Sequence, residues 1–194
     1  MHRVIPARET EFFQALCRCR LPFLLEPEAP AAEGGTACSA SERPAAPQEQ
    51  YHLVRADGWQ PGRHTLGAYR PVEPLKALVF PPREAVGDAA GVGAAEMSER
   101  IVIGVKNCDL SALRIHDYVF LQTEPVDPFY AEARRRTILV ASDCTAAREV
   151  CFCPVVGEQP YATAGFDLNL APTSGGLLVE AGPRRRQGRR GDAR

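Results

Sequence analysis

Two short apolar runs, rich in β-branched residues, constrain the fold of this chain more than any other feature. The first, I-V-I-G-V, occupies residues 101–105, and the second, T-I-L-V-A, occupies residues 137–141. Unbroken runs of this kind are typical of strands buried on both faces of a sheet. The segment between them places Leu110, Leu113 and Leu121 at mostly helical spacing. This order predicts a β-α-β unit, with parallel strands and a right-handed crossover.

The rest of the chain extends this unit into an α/β domain with a small mixed or parallel sheet. Further strands are predicted at residues 51–56, 75–84 and 176–181, and a helix at residues 9–25. Asn107 or Asp109 is the predicted N-cap of the helix inside the β-α-β unit. Residues 26–50 and 85–99 have the composition of loops. We therefore divide the chain into an N-terminal helix (1–25), a low-complexity loop (26–50), an α/β domain (51–181) and a disordered arginine-rich tail (182–194).

Four of the seven cysteines lie within or after the predicted β-α-β unit. Cys108 follows the first buried run and Cys144 the second, while Cys151 and Cys153 form the C-F-C that comes next. Parallel strands gather their ligands beyond their carboxyl ends, so neighbouring strands would bring Cys108 and Cys144 to one rim. Cys108 would also lie at a helix N-terminus, which favours a thiolate. An extended C-F-C would point both of its sulfurs to one side. Four such thiols suit a zinc ion or an iron–sulfur cluster.

A cysteine after a strand is also often a small buried hydrophobe, so a site without metal stays open. Cys17 and Cys19 lie two apart on the predicted N-terminal helix, where their side chains diverge, and are expected to be one buried and one exposed thiol. Cys38 is expected to be an exposed thiol in the low-complexity loop. Seven cysteines, an odd number, also argue against a complete disulfide framework.

The charge pattern bears on location and partners. Residues 184–194 hold six arginines and one aspartate, so the rest of the chain carries 17 basic and 23 acidic side chains. The tail is expected to be a disordered end rather than a surface for nucleic acid. No apolar stretch reaches the roughly 18 residues of a membrane span, and the charged N-terminus does not resemble a signal peptide. We therefore expect a cytoplasmic chain with no membrane span and no nucleic-acid partner.

Other chemistry-bearing residues give weaker signals. No Gly-rich phosphate loop, Ser/His/Asp order or H-E-x-x-H is present. His116 is expected on the surface or in packing rather than as a ligand, and the basic run at residues 134–136 is expected to be a solvated face. Asp109 and Asp143 each neighbour a candidate ligand and are expected to cap helices or orient loops. The sequence thus predicts no catalytic residue.

Several motifs, taken together, resemble one protein family. They are R-P-V-E-P-L-K-A-L-V-F-P-P-R-E, I-V-I-G-V-K-N-C-D-L-S-A-L, D-P-F-Y-A-E-A-R-R-R-T-I-L-V, D-C-T, C-F-C and G-F-D-L-N-L, and they cover roughly residues 75–181. The resemblance is to the iron–sulfur (4Fe-4S) electron-transfer subunits of sulfhydrogenases, called beta subunits, and to their counterparts in anaerobic sulfite reductase. The fragments F-P-P-R-E, G-V-x-x-C-D and C-F-C carry it in combination, since each alone is common.

This resemblance implies a non-catalytic electron conduit within an oxidoreductase complex. Its partners would be the catalytic subunit of a hydrogenase or sulfite reductase and a second subunit that binds flavin and nicotinamide. Members usually continue into a ferredoxin-like region with two C-x-x-C-x-x-C-x-x-x-C-P motifs, which this sequence lacks. We therefore expect an N-terminal region only, from a truncated or frame-shifted product or a stand-alone domain. Its one cluster would lie on Cys108, Cys144, Cys151 and Cys153. The alternative is a structural or zinc-binding docking domain without redox activity.

Overall fold

The structure, a computed structural model, describes residues 2–5, 9–18, 20–28, 50–80 and 98–183. Seven strands within these ranges form one sheet in the order β1-β7-β6-β5-β4-β2-β3. The strands are β1 (His2–Ile5), β2 (Leu21–Pro27), β3 (Tyr51–Arg55), β4 (Arg100–Val105), β5 (Thr137–Ser142), β6 (Leu168–Thr173) and β7 (Gly176–Ala181). The helices are α1 (Glu9–Cys17), α2 (Lys76–Val79), α3 (Asn107–Leu121) and α4 (Pro128–Arg135), with a 3₁₀ turn at Cys153–Val156.

The centre of the sheet is parallel and its two sides are antiparallel. Strand β4 pairs in parallel with both β2 and β5, and β5 pairs in parallel with β6. The β2–β3, β6–β7 and β1–β7 pairs are antiparallel. The predicted mixed α/β sheet is confirmed, and so is the parallel β-α-β unit, whose crossover contains α3 and α4.

The sheet has a hydrophobic core on each of its two faces, and the central strands β4 and β5 contribute side chains to both. On one face, Val102 and Leu139 pack beneath α3 and α4, together with Leu110 and Tyr130. On the other face, Ile101, Ile103 and Val140 pack against Phe13 and Cys17 of α1. This two-sided burial explains why the two runs in the sequence are apolar at every position rather than at alternate positions.

Strand β4 carries a bulge just before the candidate ligands. Ile103 pairs with Val140 and Val105 with Ala141, which leaves Gly104 as an extra residue with φ of +95°. A Cβ on Gly104 would lie 2.7 Å from Leu25 Cδ1, so both the backbone conformation and the packing require glycine here. The extra residue turns Val105 into the core that contains Val102. The bulge therefore sets the direction in which the chain leaves β4.

Helix α4 begins with a side-chain cap that the sequence analysis did not predict. Asp127 Oδ1 accepts hydrogen bonds from the Phe129 and Tyr130 backbone N–H groups at 2.9 Å, and Pro128 occupies the first turn. On the surface where α3 meets α4, Arg134 Nε donates to Asp117 Oδ1 at 2.9 Å, and the Tyr130 hydroxyl donates to the same oxygen at 2.7 Å. These polar contacts fix α4 against α3 and so fix the crossover.

The longest of the described helices is α3, with 15 residues. A bilayer-spanning helix needs about 20 predominantly apolar residues. None of the helices in the described part of the chain is both long enough and apolar enough to cross a membrane.

Some predicted elements are wrong. The helix predicted at residues 9–25 ends at Cys17, and Leu21–Pro27 is instead strand β2, which lies between β3 and β4. The segment predicted as a strand from residue 75 is the short helix α2 up to Val79, and residues 81–84 lie outside the described residues. The N-cap of α3 is Lys106, whose side chain makes no capping bond, rather than Asn107 or Asp109. Strands β1 and β6 were not predicted.

Other predictions fall on residues that the structure does not describe. These are the loop nature of residues 29–49 and 85–97, the disorder of the tail from residue 184, and the exposure of Cys19 and Cys38. The strands predicted at residues 51–56 and 176–181 are confirmed as β3 and β7. The division of the chain into four segments stays a prediction.

The bulge leads to a stability test with two matched glycine controls. We expect Gly62→Ala to destabilise the protein by about 1–2 kcal/mol, because Gly62 has φ of +80° but nothing near its Cβ position. Gly104→Ala should be worse, since overpacking against Leu25 adds about 1–3 kcal/mol. Gly175→Ala, which meets neither constraint, should be close to neutral. Urea unfolding measures all three, and equal stability of the Gly104 and Gly175 variants would contradict the role of the bulge.

Candidate metal centre

Two of the four candidate thiols follow the parallel pair β4 and β5. Cys108 comes three residues after β4 ends, in the first turn of α3, and Cys144 comes two residues after β5 ends. Because β4 and β5 are parallel neighbours, both strands end at the same rim of the sheet. Each thiol is partly buried there.

The other two thiols lie on the loop that connects β5 to β6. Cys151 closes a tight turn with Arg148: its backbone N–H donates to Arg148 O at 2.9 Å, and its Sγ accepts from Arg148 N–H at 3.2 Å. Cys153 opens the 3₁₀ turn. The extended C-F-C of the sequence analysis is wrong, because Phe152 has φ of −123° and ψ of 11°. Phe152 lies with 57% of its surface exposed.

All four thiols line one cavity of about 310 Å³. This volume is at the lower end of the roughly 300–1,000 Å³ that small-molecule sites occupy. Its wall also includes Arg70, Asp109 and His116. Among the described residues, no three histidine, cysteine, aspartate or glutamate side chains are already arranged as a metal-binding group. The four cysteines therefore share a cavity, and their role as ligands stays a prediction.

Burial favours the neutral forms of the two strand-end thiols. Burial raises the pKa of Cys108 to about 12, with further contributions from Asp109, Cys153 and Cys144. Burial also raises the pKa of Cys144, although the nearby Lys106 opposes the change. Cys108 lies in the first turn of α3 as predicted, but burial raises its pKa, which is opposite in direction to the expected effect of a helix N-terminus. A bound metal would have to displace these protons.

A buried lysine lies at the same rim of the sheet as the two strand-end thiols. Lys106 is fully buried, and its Nζ donates to Gly67 O at 2.7 Å, Ser142 Oγ at 3.2 Å and Asp143 O at 3.3 Å. Burial lowers its pKa to about 8, while Cys144 and Asp143 act in the opposite direction. The sequence analysis did not single out Lys106. The available signal was a charged residue directly after a fully apolar strand.

The next residue, Asn107, attaches the cysteine loop to the start of α3. Its Nδ2 donates to Glu158 Oε2 at 3.0 Å and to Gln159 O at 2.9 Å. Within the loop, the Glu158 N–H donates to Cys153 O at 2.8 Å, and the Cys144 N–H donates to Pro160 O at 2.8 Å. These bonds set the position of Cys151 and Cys153 relative to Cys108. Asn107 was considered only as an N-cap in the sequence analysis.

The two aspartates beside the candidate ligands differ in their surroundings. Asp143 Oδ1 accepts from Asn169 Nδ2 at 3.0 Å, which matches the expectation that this residue orients its loop. Asp109 is buried in the first turn of α3, and burial raises its pKa to about 6, with Arg70 opposing the rise. Its carboxylate lines the cavity and adds negative charge beside Cys108.

A third segment, residues 67–75, covers one side of the cavity. Ala68 O accepts from the Thr145 N–H at 2.9 Å, and the Arg148 guanidinium lies 4.9 Å from the centre of the Tyr69 ring. At the other end of the segment, Glu73 Oε2 accepts from the Leu53 N–H at 2.8 Å, and Glu73 Oε1 lies 2.8 Å from His52 Nδ1. These contacts connect β3 with the cavity wall.

The structure also places the other residues that the sequence analysis considered, namely His116, the basic run at residues 134–136 and Cys17. His116 lines the cavity and stacks on Phe120 and Tyr130, with ring centres 5.9 and 6.5 Å apart, so it combines packing with a position beside the thiols. The basic run is not a simple solvated face, because Arg134 is buried against Asp117, while Arg135 and Arg136 both pair with Glu132. Cys17, the last residue of α1, is buried on the opposite face of the sheet, as one of that pair was expected to be.

Comparison with known proteins adds one informative match. The chain is similar to sulfhydrogenase 2 subunit beta of Pyrococcus furiosus. The two sequences are 31% identical over 121 residues, which make up 61% of this chain. The chain spans 35% of the length of this curated relative. This partial match supports the sulfhydrogenase beta-subunit family that the sequence motifs indicate. No family model and no solved structure matches the chain.

The His52–Glu73 contact makes a small part of the stability depend on pH. The hydrogen bond to Glu73 raises the pKa of His52, so its contribution is complete below about pH 6.5 and is lost as pH rises through the higher folded pKa. Burial alone would raise the pKa of Glu73, but hydrogen bonds from His52 and Leu53 leave it lowered. That contribution is lost as pH falls through the lowered pKa of Glu73.

We therefore expect His52→Gln to lower the free energy of unfolding most between about pH 5 and pH 6.5. Because both side chains are more than one-third exposed, the loss should be only about 0.2–1 kcal/mol. Urea unfolding of wild type and variant at pH 5.5 and 8.5 measures it. A difference between the two proteins that grows from pH 5.5 to pH 8.5 would contradict the assignment.

Removal of the Asn107 side chain should loosen the cysteine loop without unfolding the sheet. We expect Asn107→Ala to lower the local opening free energy of the loop by about 1–2 kcal/mol, since two hydrogen bonds are lost. Amide hydrogen exchange at Cys144, Cys151 and Glu158 should accelerate by roughly tenfold. Gln159→Ala, which keeps the backbone carbonyl that Asn107 contacts, is the matched control. Unchanged exchange in Asn107→Ala would show that other contacts hold the loop.

Proposed function

We propose that this chain is part of an electron-transfer subunit of a hydrogenase-type complex, and that Cys108, Cys144, Cys151 and Cys153 hold one four-iron, four-sulfide (4Fe-4S) cluster. The observation that carries the proposal is the shared cavity, since four thiols from two strand ends and a loop line the same space. The similarity to sulfhydrogenase 2 subunit beta supports the same function.

The donor set suits such a cluster. Cysteine thiolates are its usual ligands, and soft sulfur donors favour iron–sulfur clusters over hard cations. Ligation would release the protons that burial retains on Cys108 and Cys144, so binding of the cluster should strengthen as the pH rises. When bound, the cluster would supply one-electron chemistry.

The chain's own residues would hold this centre in two ways. Cys108 and Cys144 would provide fixed positions at the rim of the sheet, because β4 and β5 determine them. Cys151 and Cys153 would close the centre from the loop, whose position depends on Asn107. The Arg148 N–H, which donates to Cys151 Sγ, is the kind of hydrogen bond that raises the reduction potential of a cluster.

The proposed partners are the catalytic subunit of a hydrogenase or sulfite reductase and a second subunit that binds flavin and nicotinamide, in the cytoplasm. Apolar side chains exposed beside the thiols fit a role in a complex, notably Val150 and Phe152, with 67% and 57% of their surfaces exposed. The chain would be the N-terminal region of such an electron-transfer protein.

The same four thiols also suit a structural zinc ion, which would make the chain a docking domain without redox activity. Metal content and colour separate the two functions, because zinc proteins are colourless and iron–sulfur proteins absorb broadly in the visible range. The test therefore offers the chain iron with sulfide in one sample and zinc in another.

Anaerobic reconstitution of the full chain with iron and sulfide tests the proposal. We expect a brown protein with about four iron and four sulfide per chain. Single Cys→Ser changes at residues 108, 144, 151 and 153 should each reduce this content. Cys17→Ala is the matched control, since that thiol is buried on the other face of the sheet and should not affect loading.

Two outcomes would overturn the proposal. One is a variant with all four cysteines changed to serine that binds as much iron as the wild type. The other is a wild-type chain that takes up no stoichiometric cluster from iron and sulfide but binds one zinc ion. The zinc result would support the docking domain instead.

A further inference from the structure

We propose that Lys106 supplies the fixed positive charge that balances an anionic metal–thiolate centre on Cys108 and Cys144. This inference rests on the proposed function and adds a charge-balancing residue that does not ligate the metal. It depends on three features of Lys106: its complete burial, its hydrogen-bond partners and its position two residues before Cys108.

The hydrogen-bond partners of Lys106 match the three N–H donors of an ammonium ion. An ammonium has three N–H donors, and Nζ has three acceptors, which are Gly67 O, Ser142 Oγ and Asp143 O. Ser142 Oγ directs its own proton toward Asp143 O, 3.5 Å away, so it accepts from Lys106. A neutral amine has two N–H donors and would satisfy all three contacts only if the Ser142 hydroxyl donated to Nζ instead of to Asp143 O.

All three acceptors of Lys106 are neutral groups. Among the described residues, no carboxylate lies within ion-pair distance of Nζ. A buried charge without a counter-charge is unfavourable by several kcal/mol. Hydrogen bonds between the same loops could be made by a neutral side chain without this penalty. The carboxylates of Asp143 and Asp109 act on Lys106 only from beyond ion-pair distance, so further negative charge in the neighbouring space would stabilise the buried ammonium.

The thiols provide that negative charge when they bind metal. Cys108 and Cys144 are among the groups whose charge acts on Lys106, together with Asp143 and Asp109. Four thiolates outweigh the positive charge of a zinc ion or of an oxidised four-iron core, so the loaded site is anionic in either case. One-electron reduction adds further negative charge. A fixed ammonium at the same rim as the thiols should therefore stabilise the reduced form more than the oxidised form.

A redox titration of the reconstituted full chain, followed by electron paramagnetic resonance, tests the inference. At a fixed potential, we expect Lys106→Gln to lower the ratio of reduced to oxidised cluster by about tenfold, which is a shift of about −59 mV for one electron. Gln keeps a hydrogen-bond donor but removes the charge. Lys106→Arg keeps the charge and should restore most of the wild-type potential. Iron content and thermal stability, measured in parallel, report any structural loss separately.

A second route keeps the lysine, in case its variants do not fold or load. Ser142→Asp would place a carboxylate beside Nζ and cancel its charge locally, and should lower the potential in the same direction. Ser142→Ala removes one acceptor but no charge and should leave the potential near that of the wild type.

The outcomes separate this inference from the proposed function. An unchanged potential in loaded Lys106→Gln, or in loaded Ser142→Asp, would show that Lys106 is a structural crosslink and would overturn the charge-balancing role alone. A wild-type chain that takes up no cluster from iron and sulfide would overturn the proposed function, and the redox role of Lys106 with it.

Discussion

The parallel pairing of β4 with β5 is the constraint on which the rest of this structure depends. It fixes the register of the two strands that contribute to both cores, so α3 and α4 pack on one face and α1 on the other. It also makes the chain leave both strands at one rim, where Cys108 and Cys144 follow within a few residues. Burial of apolar side chains on both faces stabilises this pairing, and the position of the thiols is a consequence of it.

Hydrogen bonds at the rim of the sheet position the segments that surround the cavity. Two consecutive residues, Lys106 and Asn107, contact the segments on either side: Lys106 binds the Gly67 carbonyl and the end of β5, and Asn107 binds the loop that carries Cys151 and Cys153. Hydrogen bonds of this kind contribute modestly to net stability but strongly to geometry, because a buried donor without a partner is unfavourable. The cavity is therefore positioned by a few specific bonds.

The sequence was informative where one physical effect dominated, and misleading where several competed. The buried runs of β4 and β5 were predictable because burial on both faces leaves one pattern. Strand β2 was not, because residues 9–25 were predicted as one helix, whereas pairing with β4 determines the structure of the segment from Leu21 onward. Strand β6 contains Asn169 and Pro172, which are rare in strands, and its pairing with β5 and β7 compensates.

The same distinction applies to the site. That Cys108 and Cys144 would lie at one rim could be predicted from strand order. The burial of Lys106 could not, because whether a lysine points outward or inward depends on the bulge at Gly104 and on loops distant in the sequence.

The pairing of β1 with β7 has a consequence for how the chain reaches this structure. His2 lies opposite Glu180, so the outermost pairing joins the two extremes of the described chain and gives the sheet a high contact order. During synthesis at about 5–20 residues per second, β1 would wait roughly 10–35 seconds before its partner exists. In that interval the edges of β1 remain without a strand partner, and such unpaired edges are prone to intermolecular association. Strand β1 is thus made before every other strand of this sheet but is among the last to be incorporated into it.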